Sequence, residues 1–137
     1  MRKSLVSFQN YIPEPDIYDI KLDANENPYE HAEEFIQELK DSITSENLIR
    51  YPDTDSTELM KAIADYWKVD PSNVVCGVGS DQLIDGITKL LLEPGEVGLI
   101  PNPSFSMYKH SIILNHGKVV EYVLTLDFDY DIEYVVD

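Results

Sequence analysis

From Pro71 onward, short apolar runs alternate with segments of helical spacing, and this alternation constrains the fold more than any other feature. Val74-Val75-Cys76, Val97 to Ile100 and Val119 to Leu124 read as strands. Between them, Ser80 to Leu92 places Leu83, Ile84, Ile87, Leu90 and Leu91 on one helical face, and Pro94-Gly95 ends it. Ser104 to Asn115 fits a second helix that stops at His116-Gly117. Strands separated by helices of about a dozen residues pair in parallel through right-handed crossovers. The expectation is a β-α-β-α-β arrangement, an α/β fold. Asp131 onward has the look of another helix opening.

Upstream the pattern is different. Pro13, Pro15 and Pro28 break the first thirty residues, and His31 to Glu46 follows as one amphipathic helix with Phe35, Ile36, Leu39 and Ile43 on its apolar face. Tyr51-Pro52-Asp53-Thr54 reads as a turn. Asp55 with Glu58 resembles a capping box for a helix carrying Leu59, Met60, Ile63, Ala64 and Trp67. The chain thus divides near residue 50, into an N-terminal arm with its helix (1–50) and an α/β segment (51–137). Three strands make a small parallel sheet with bare edges, so the pattern is expected to be the first half of a larger α/β domain, truncated at residue 137.

Composition excludes several classes of function. Ten basic against 26 acidic residues leave a formal charge of −16, the opposite of a nucleic-acid footprint and unfavourable for an anionic membrane surface. After Lys118 come six acids and no Lys or Arg, in a stretch rich in aromatic and β-branched residues that reads as a solvated face. No apolar run approaches the roughly 18 residues of a membrane span. The opening MRKSLVSFQN has no apolar stretch behind its basic residues, so a cytoplasmic location is expected. A single cysteine, Cys76, forms no internal disulfide and no cysteine-built zinc site, and His31, His110 and His116 lack ligand spacing.

Two loops carry the chemistry. Cys76-Gly77-Val78-Gly79-Ser80-Asp81-Gln82 follows a strand and opens a helix. Glycines let backbone approach a ligand, and the first helical turn offers free N–H groups at a positive dipole end, which suits a phosphate. An ordinary strand-to-helix turn capped by Ser80 or Asp81 is the alternative. Gln82 stands where a dinucleotide fingerprint needs its third glycine, and no lysine completes a P-loop. Pro101-Asn102-Pro103-Ser104-Phe105-Ser106-Met107-Tyr108 repeats the strand-loop-helix context, with Phe105 in position either to cover a flat cofactor or to pack in the core. Both loops fall at carboxyl ends of parallel strands, where open α/β sheets bind ligands.

In order, Leu22-Asp23-Ala24-Asn25-Glu26-Asn27-Pro28-Tyr29, Arg50-Tyr51-Pro52-Asp53, Gly77-Val78-Gly79-Ser80-Asp81, Pro101 to Tyr108 and Asp127-Phe128-Asp129-Tyr130-Asp131 resemble segments of histidinol-phosphate aminotransferases. The resemblance runs from about Tyr11 to the end. It implies the large domain of a fold type I pyridoxal-phosphate enzyme. Gly79, Ser80 and Asp81 would present backbone to the cofactor phosphate, and Phe105 would stack on its ring. Tyr51 would donate to the phosphate in the neighbouring subunit of a homodimer, and Tyr11 and Asn25 would serve the substrate. Gln82, Ser104 and Val78 depart from the family's usual glutamate, threonine and polar residue. The family's Schiff-base lysine, its aspartate for the pyridinium nitrogen and its substrate-gripping arginine have no counterparts among these residues. The chain alone is therefore expected not to transaminate. The resemblance implies amino transfer between histidinol phosphate and 2-oxoglutarate, in histidine biosynthesis, for a full-length enzyme. A related aromatic-amino-acid aminotransferase, threonine-phosphate decarboxylase or non-catalytic phosphate-binding module stands as the alternative.

Overall fold

A computed structural model describes residues 19–22 and 24–136. They fall into two compact units, with residues 77–136 in one and the described residues up to Cys76 in the other.

The first unit in chain order is helical. Glu33–Ser42 forms α1 and Ser45–Ile49 forms α2, where one helix from His31 to Glu46 was expected. The break comes from Thr44, whose extended backbone and side-chain oxygen, accepting from the Asn47 N–H at 3.1 Å, start a new helix. Leu39 and Phe35 on the apolar face of α1 are about half exposed. Thr57–Trp67 forms α3, with Ala64 buried. The expected Asp55–Glu58 box does not form. Asp53 caps α3 instead: one carboxylate oxygen accepts from the Thr57 N–H at 2.7 Å and the other from the Asp55 N–H at 3.1 Å. A short 3-10 turn, Pro71–Asn73, packs against α3 and is capped by Asp70, which accepts from the Ser72 N–H at 2.8 Å.

Val74-Val75-Cys76 does not form the expected strand. Val74 has extended backbone (φ −114°, ψ 133°), but the run has no ladder partner among the described residues, and Val75 is 75% exposed. The β-α-β-α-β expectation is corrected to β-α-β preceded by a helix.

In the second unit, Gly79–Leu91 forms α4, Val97–Asn102 β1, Ser106–Leu114 α5, Lys118–Val123 β2 and Ile132–Val136 α6. β1 and β2 pair in parallel, from Val97 opposite Lys118 to Asn102 opposite Val123. The ladder is closed at one end by the Lys118 N–H on the Glu96 carbonyl (2.7 Å) and continued at the other by the Leu124 N–H on the Asn102 carbonyl (3.1 Å). α5 lies over the strands. Ile100, Ile112 and Tyr122 form the buried core, and burial raises the Tyr122 phenol above its ordinary pKa. Close approach requires two glycines here. A Cβ on Gly98 would collide with Cδ1 and Cγ1 of Ile112, and one on Gly117 with Leu92 Cδ2 and Ile112 Cγ2. α4 packs against α5, where Asn115 Nδ2 donates to Asp85 Oδ1 at 2.9 Å. Lys89, also bonded to Asp85, is the larger cause holding that carboxyl below its usual range, and Asn115 adds to it.

Candidate functional site

The turn into α4 is open. Gly79 has φ +74°, in the left-handed region that favours glycine, and a Cβ built on it meets nothing within 4 Å. Its N–H donates back to the Gly77 carbonyl at 3.0 Å. Ser80 and Asp81 follow, both exposed, in the first turn, where helix geometry supplies no acceptor one turn back. The N-cap residue is Val78, whose side chain makes no capping bond, so the ordinary-cap alternative for Ser80 or Asp81 is not realised. Gln82 does the closing work that sequence reading missed. Its Oε1 accepts from the Val78 N–H at 2.5 Å and lies 3.0 Å from where a Gly77 Cβ would be. The signal was a Gln in the first turns of a helix, placed to reach back as in a capping box. The turn is thus tied through Val78, with the Ser80 and Asp81 N–H groups left at the positive end of a 13-residue helix.

Phe105 stands immediately before α5, with extended backbone (φ −64°, ψ 123°). The residue is 46% exposed, and its ring meets that of Tyr108 in a T-shaped contact, at 5.9 Å between centroids and 87° between planes. Beside it opens a cleft of about 260 Å³ walled by Pro101, Asn102, Ser104, Phe105, Lys109 and Glu121, among others. Gly79, Ser80 and Asp81 are not among its walls. The two predicted loops therefore share a unit without sharing this cleft. Glu121 accepts from Lys109 Nζ at 2.6 Å and from Asn102 Nδ2 at 2.8 Å. The Lys109 bond chiefly, and then its charge, hold the Glu121 carboxyl below the usual range. Sequence reading assigned no role to this trio, which is separated by 12 and 19 residues and meets only through the parallel register of the strands and the crossover helix between them.

Tyr51 and Asn25 belong to the other unit. Tyr51 is 98% exposed, two residues before the Asp53 cap. Asn25 has a left-handed backbone, φ 50°. Tyr11 lies outside the described residues. Among the described residues, no three His, Cys, Asp or Glu gather to hold a metal ion, and no helix is long and apolar enough to cross a membrane.

Comparison with known proteins gives this geometry a setting. Residues 18–135 match the model of aminotransferase class I and II. The chain belongs to that family. It is 42% identical over 125 residues to a histidinol-phosphate aminotransferase of Ruminiclostridium cellulolyticum, covering 90% of this chain and 35% of that relative. It spans little more than a third of the length of such relatives. Among solved structures, a histidinol-phosphate aminotransferase from Sinorhizobium meliloti, in complex with pyridoxal-5'-phosphate, superimposes with a TM-score of 0.69 at 21% identity, over 76% of this chain and 28% of that one. An aromatic aminotransferase from Pyrococcus horikoshii gives 0.65 at 26% identity, over 76% and 31%. The α/β class and the fold expected from the resemblance hold. The chain shares the fold of part of the Sinorhizobium meliloti structure, with two strands paired in parallel among the described residues.

Proposed function

We propose that the full-length protein is a pyridoxal-phosphate-dependent histidinol-phosphate aminotransferase, a homodimer that moves an amino group between L-histidinol phosphate and 2-oxoglutarate in histidine biosynthesis. One observation carries the reading: the open left-handed turn at Gly79, which places the exposed Ser80 and Asp81 and their N–H groups in the first turn of α4. The chain's net charge of −16 repels an anion at long range, so a phosphate needs such local donors. The residues present therefore fit the phosphate of this cofactor. The 42% identity to the Ruminiclostridium enzyme supports the substrate.

When bound, pyridoxal phosphate supplies an electron-withdrawing ring that acidifies the substrate Cα–H. This chain's share is binding and orientation. Gly79 gives the backbone its close approach, and Ser80 and Asp81 donate N–H hydrogen bonds to the phosphate, with the Ser80 hydroxyl adding a third donor. Phe105 offers the face of an aromatic ring to the planar cofactor and shields that face from water. Tyr51 donates its hydroxyl to the phosphate held by the neighbouring subunit, and its exposure leaves it available for that contact. Tyr11 and Asn25 close over the substrate. The lysine, aspartate and arginine that complete the chemistry come from beyond these residues, so the 137-residue chain is inactive by itself.

The test is amino transfer to 2-oxoglutarate by the purified full-length protein, comparing L-histidinol phosphate with phenylalanine. A kcat/KM higher for histidinol phosphate is the expected result. The 26% identity to the Pyrococcus aromatic aminotransferase favours one second reading, aromatic amino-acid transamination. A preference for phenylalanine establishes it and overturns the first.

A further inference from the structure

Glu121 sits on β2, yet both oxygens of its carboxylate are engaged by other elements. Oε2 accepts from Asn102, the last residue of β1, at 2.8 Å. Oε1 accepts from Lys109 on α5, four residues after Phe105, at 2.6 Å. Asn102 and Lys109 stand on either side of Pro103, Ser104 and Phe105, so one carboxylate ties down both ends of the segment carrying the aromatic ring. The three side chains meet across three separate elements, and all three wall the cleft beside Phe105.

We propose that Glu121 is a positioning residue: by clamping Asn102 and Lys109 it fixes the Pro103–Phe105 segment, and so the angle at which the Phe105 ring meets a planar cofactor. This rests on the stacking role given to Phe105 above. Holding the sheet together does not require the clamp. β1 and β2 are already paired along their length, and the Leu124 N–H on the Asn102 carbonyl (3.1 Å) extends the ladder beyond the clamp. What the clamp adds is a link from the strand ends to the first turns of α5. Among the described residues its aromatic neighbour is Tyr108, set nearly perpendicular to it, and Phe105 remains 46% exposed. A ring so lightly packed takes its orientation from the backbone beneath it, and Glu121 anchors that backbone on both sides. Lys109 is thereby committed to a carboxylate and is not a free cation for an anionic ligand. The depressed Glu121 pKa agrees with a carboxylate that stays charged in this role.

The test uses the full-length protein, stripped of pyridoxal phosphate and titrated with it, in four forms: unmodified, Glu121→Gln, Phe105→Leu and the double variant. The readouts are the dissociation constant of pyridoxal phosphate, the induced circular dichroism of the bound ring and the melting midpoint of the stripped protein. Glu121→Gln keeps an acceptor for Asn102 and loses the ion pair. It is expected to weaken binding by about threefold to tenfold and alter the induced dichroism, with the midpoint unchanged. The double variant is expected to bind no more weakly than Phe105→Leu alone, because Glu121 acts through that ring. If Phe105→Leu weakens binding and Glu121→Gln does not, the positioning role is overturned and the stacking role stands. If Phe105→Leu has no effect, the stacking role itself is overturned. Should Glu121→Gln also lower the midpoint, the double variant decides: losses that add overturn the proposal, and losses that do not add support it.

Discussion

Replacing Gly98 with alanine places a methyl group against Cδ1 and Cγ1 of Ile112, inside the distance any real Cβ tolerates. Ile112 is 7% exposed, so its side chain has little room to retreat. Overpacking of this kind costs about 1–3 kcal/mol, offset by roughly 0.5–1 kcal/mol from the lower backbone entropy of alanine. Ile112→Val alone costs about 0.5–1.5 kcal/mol through the lost methyl group. Valine has no Cδ1, so it removes the atom that the new methyl group strikes first. The double variant Gly98→Ala, Ile112→Val is therefore expected to be more stable than the sum of the single losses by about 1 kcal/mol, a coupling typical of residues in contact. Gly117 supplies the control. Its Cβ would strike Leu92 Cδ2, Ile112 Cγ2 at 2.8 Å and the Ile112 carbonyl oxygen at 3.2 Å, and valine keeps both of those Ile112 groups. Ile112→Val should leave the cost of Gly117→Ala unrelieved. The assay is urea unfolding of the full-length variants at constant m. Strict additivity at Gly98, or equal rescue at Gly117, refutes the packing argument.

Gly79→Ala meets no neighbour, so its expected loss of about 1–2 kcal/mol is backbone strain alone, and Gly79→Asn, which enters the left-handed region more readily, should cost less; unfolding midpoints of the two variants check the order. Asp53 is held below its ordinary pKa of 3.8, chiefly by the Thr57 N–H. Its capping contribution is accordingly complete above the unfolded-state pKa and fades as pH falls through the lower folded-state one, and the protection of the Thr57 amide against hydrogen exchange, taken relative to the free-peptide rate at each pH, should fall over that acidic window in the natural protein but not in Asp53→Ala. Incubated with pyridoxal phosphate and reduced with borohydride, the 137-residue chain should carry label scattered over its eight lysines, and stoichiometric label at one lysine in peptide mapping contradicts its predicted inactivity.

The elements that position the loops were legible because each is announced locally. The helical spacing after Ser80, the stop at His116-Gly117 and the apolar runs of β1 and β2 all need information from only a few residues. At that stop the left-handed backbone falls on His116 (φ 65°). Misreadings arose where two local signals competed. Asp53 and Asp55 are both fair caps for α3, and the choice depends on Ser56 adopting φ 51°, which nothing in the residue type announces. Thr44 had a helical pattern on both sides of it, and its preference for capping prevailed over continuing the helix. Gln82 and the Glu121 clamp went unread for a different reason. The first depends on a turn geometry, the second on which residues of two parallel strands and a crossover helix end up side by side.

Val74-Val75-Cys76 separates two things a strand prediction contains. β-branched residues specify extended backbone, and Val74 adopts it. Pairing is a property of two segments, because each ladder hydrogen bond needs an acceptor or donor on a neighbour. With no neighbour among the described residues, the run keeps its conformation and Val75 keeps its exposure. The turn that follows does not wait for that pairing. Gly79 takes its left-handed φ, Gln82 closes on the Val78 N–H and α4 runs for 13 residues, all from contacts within residues 77–91. A turn encoded this way needs only its own glycines and the helix it opens. That is why its residues can be read from a short motif, while the strand leading into it cannot.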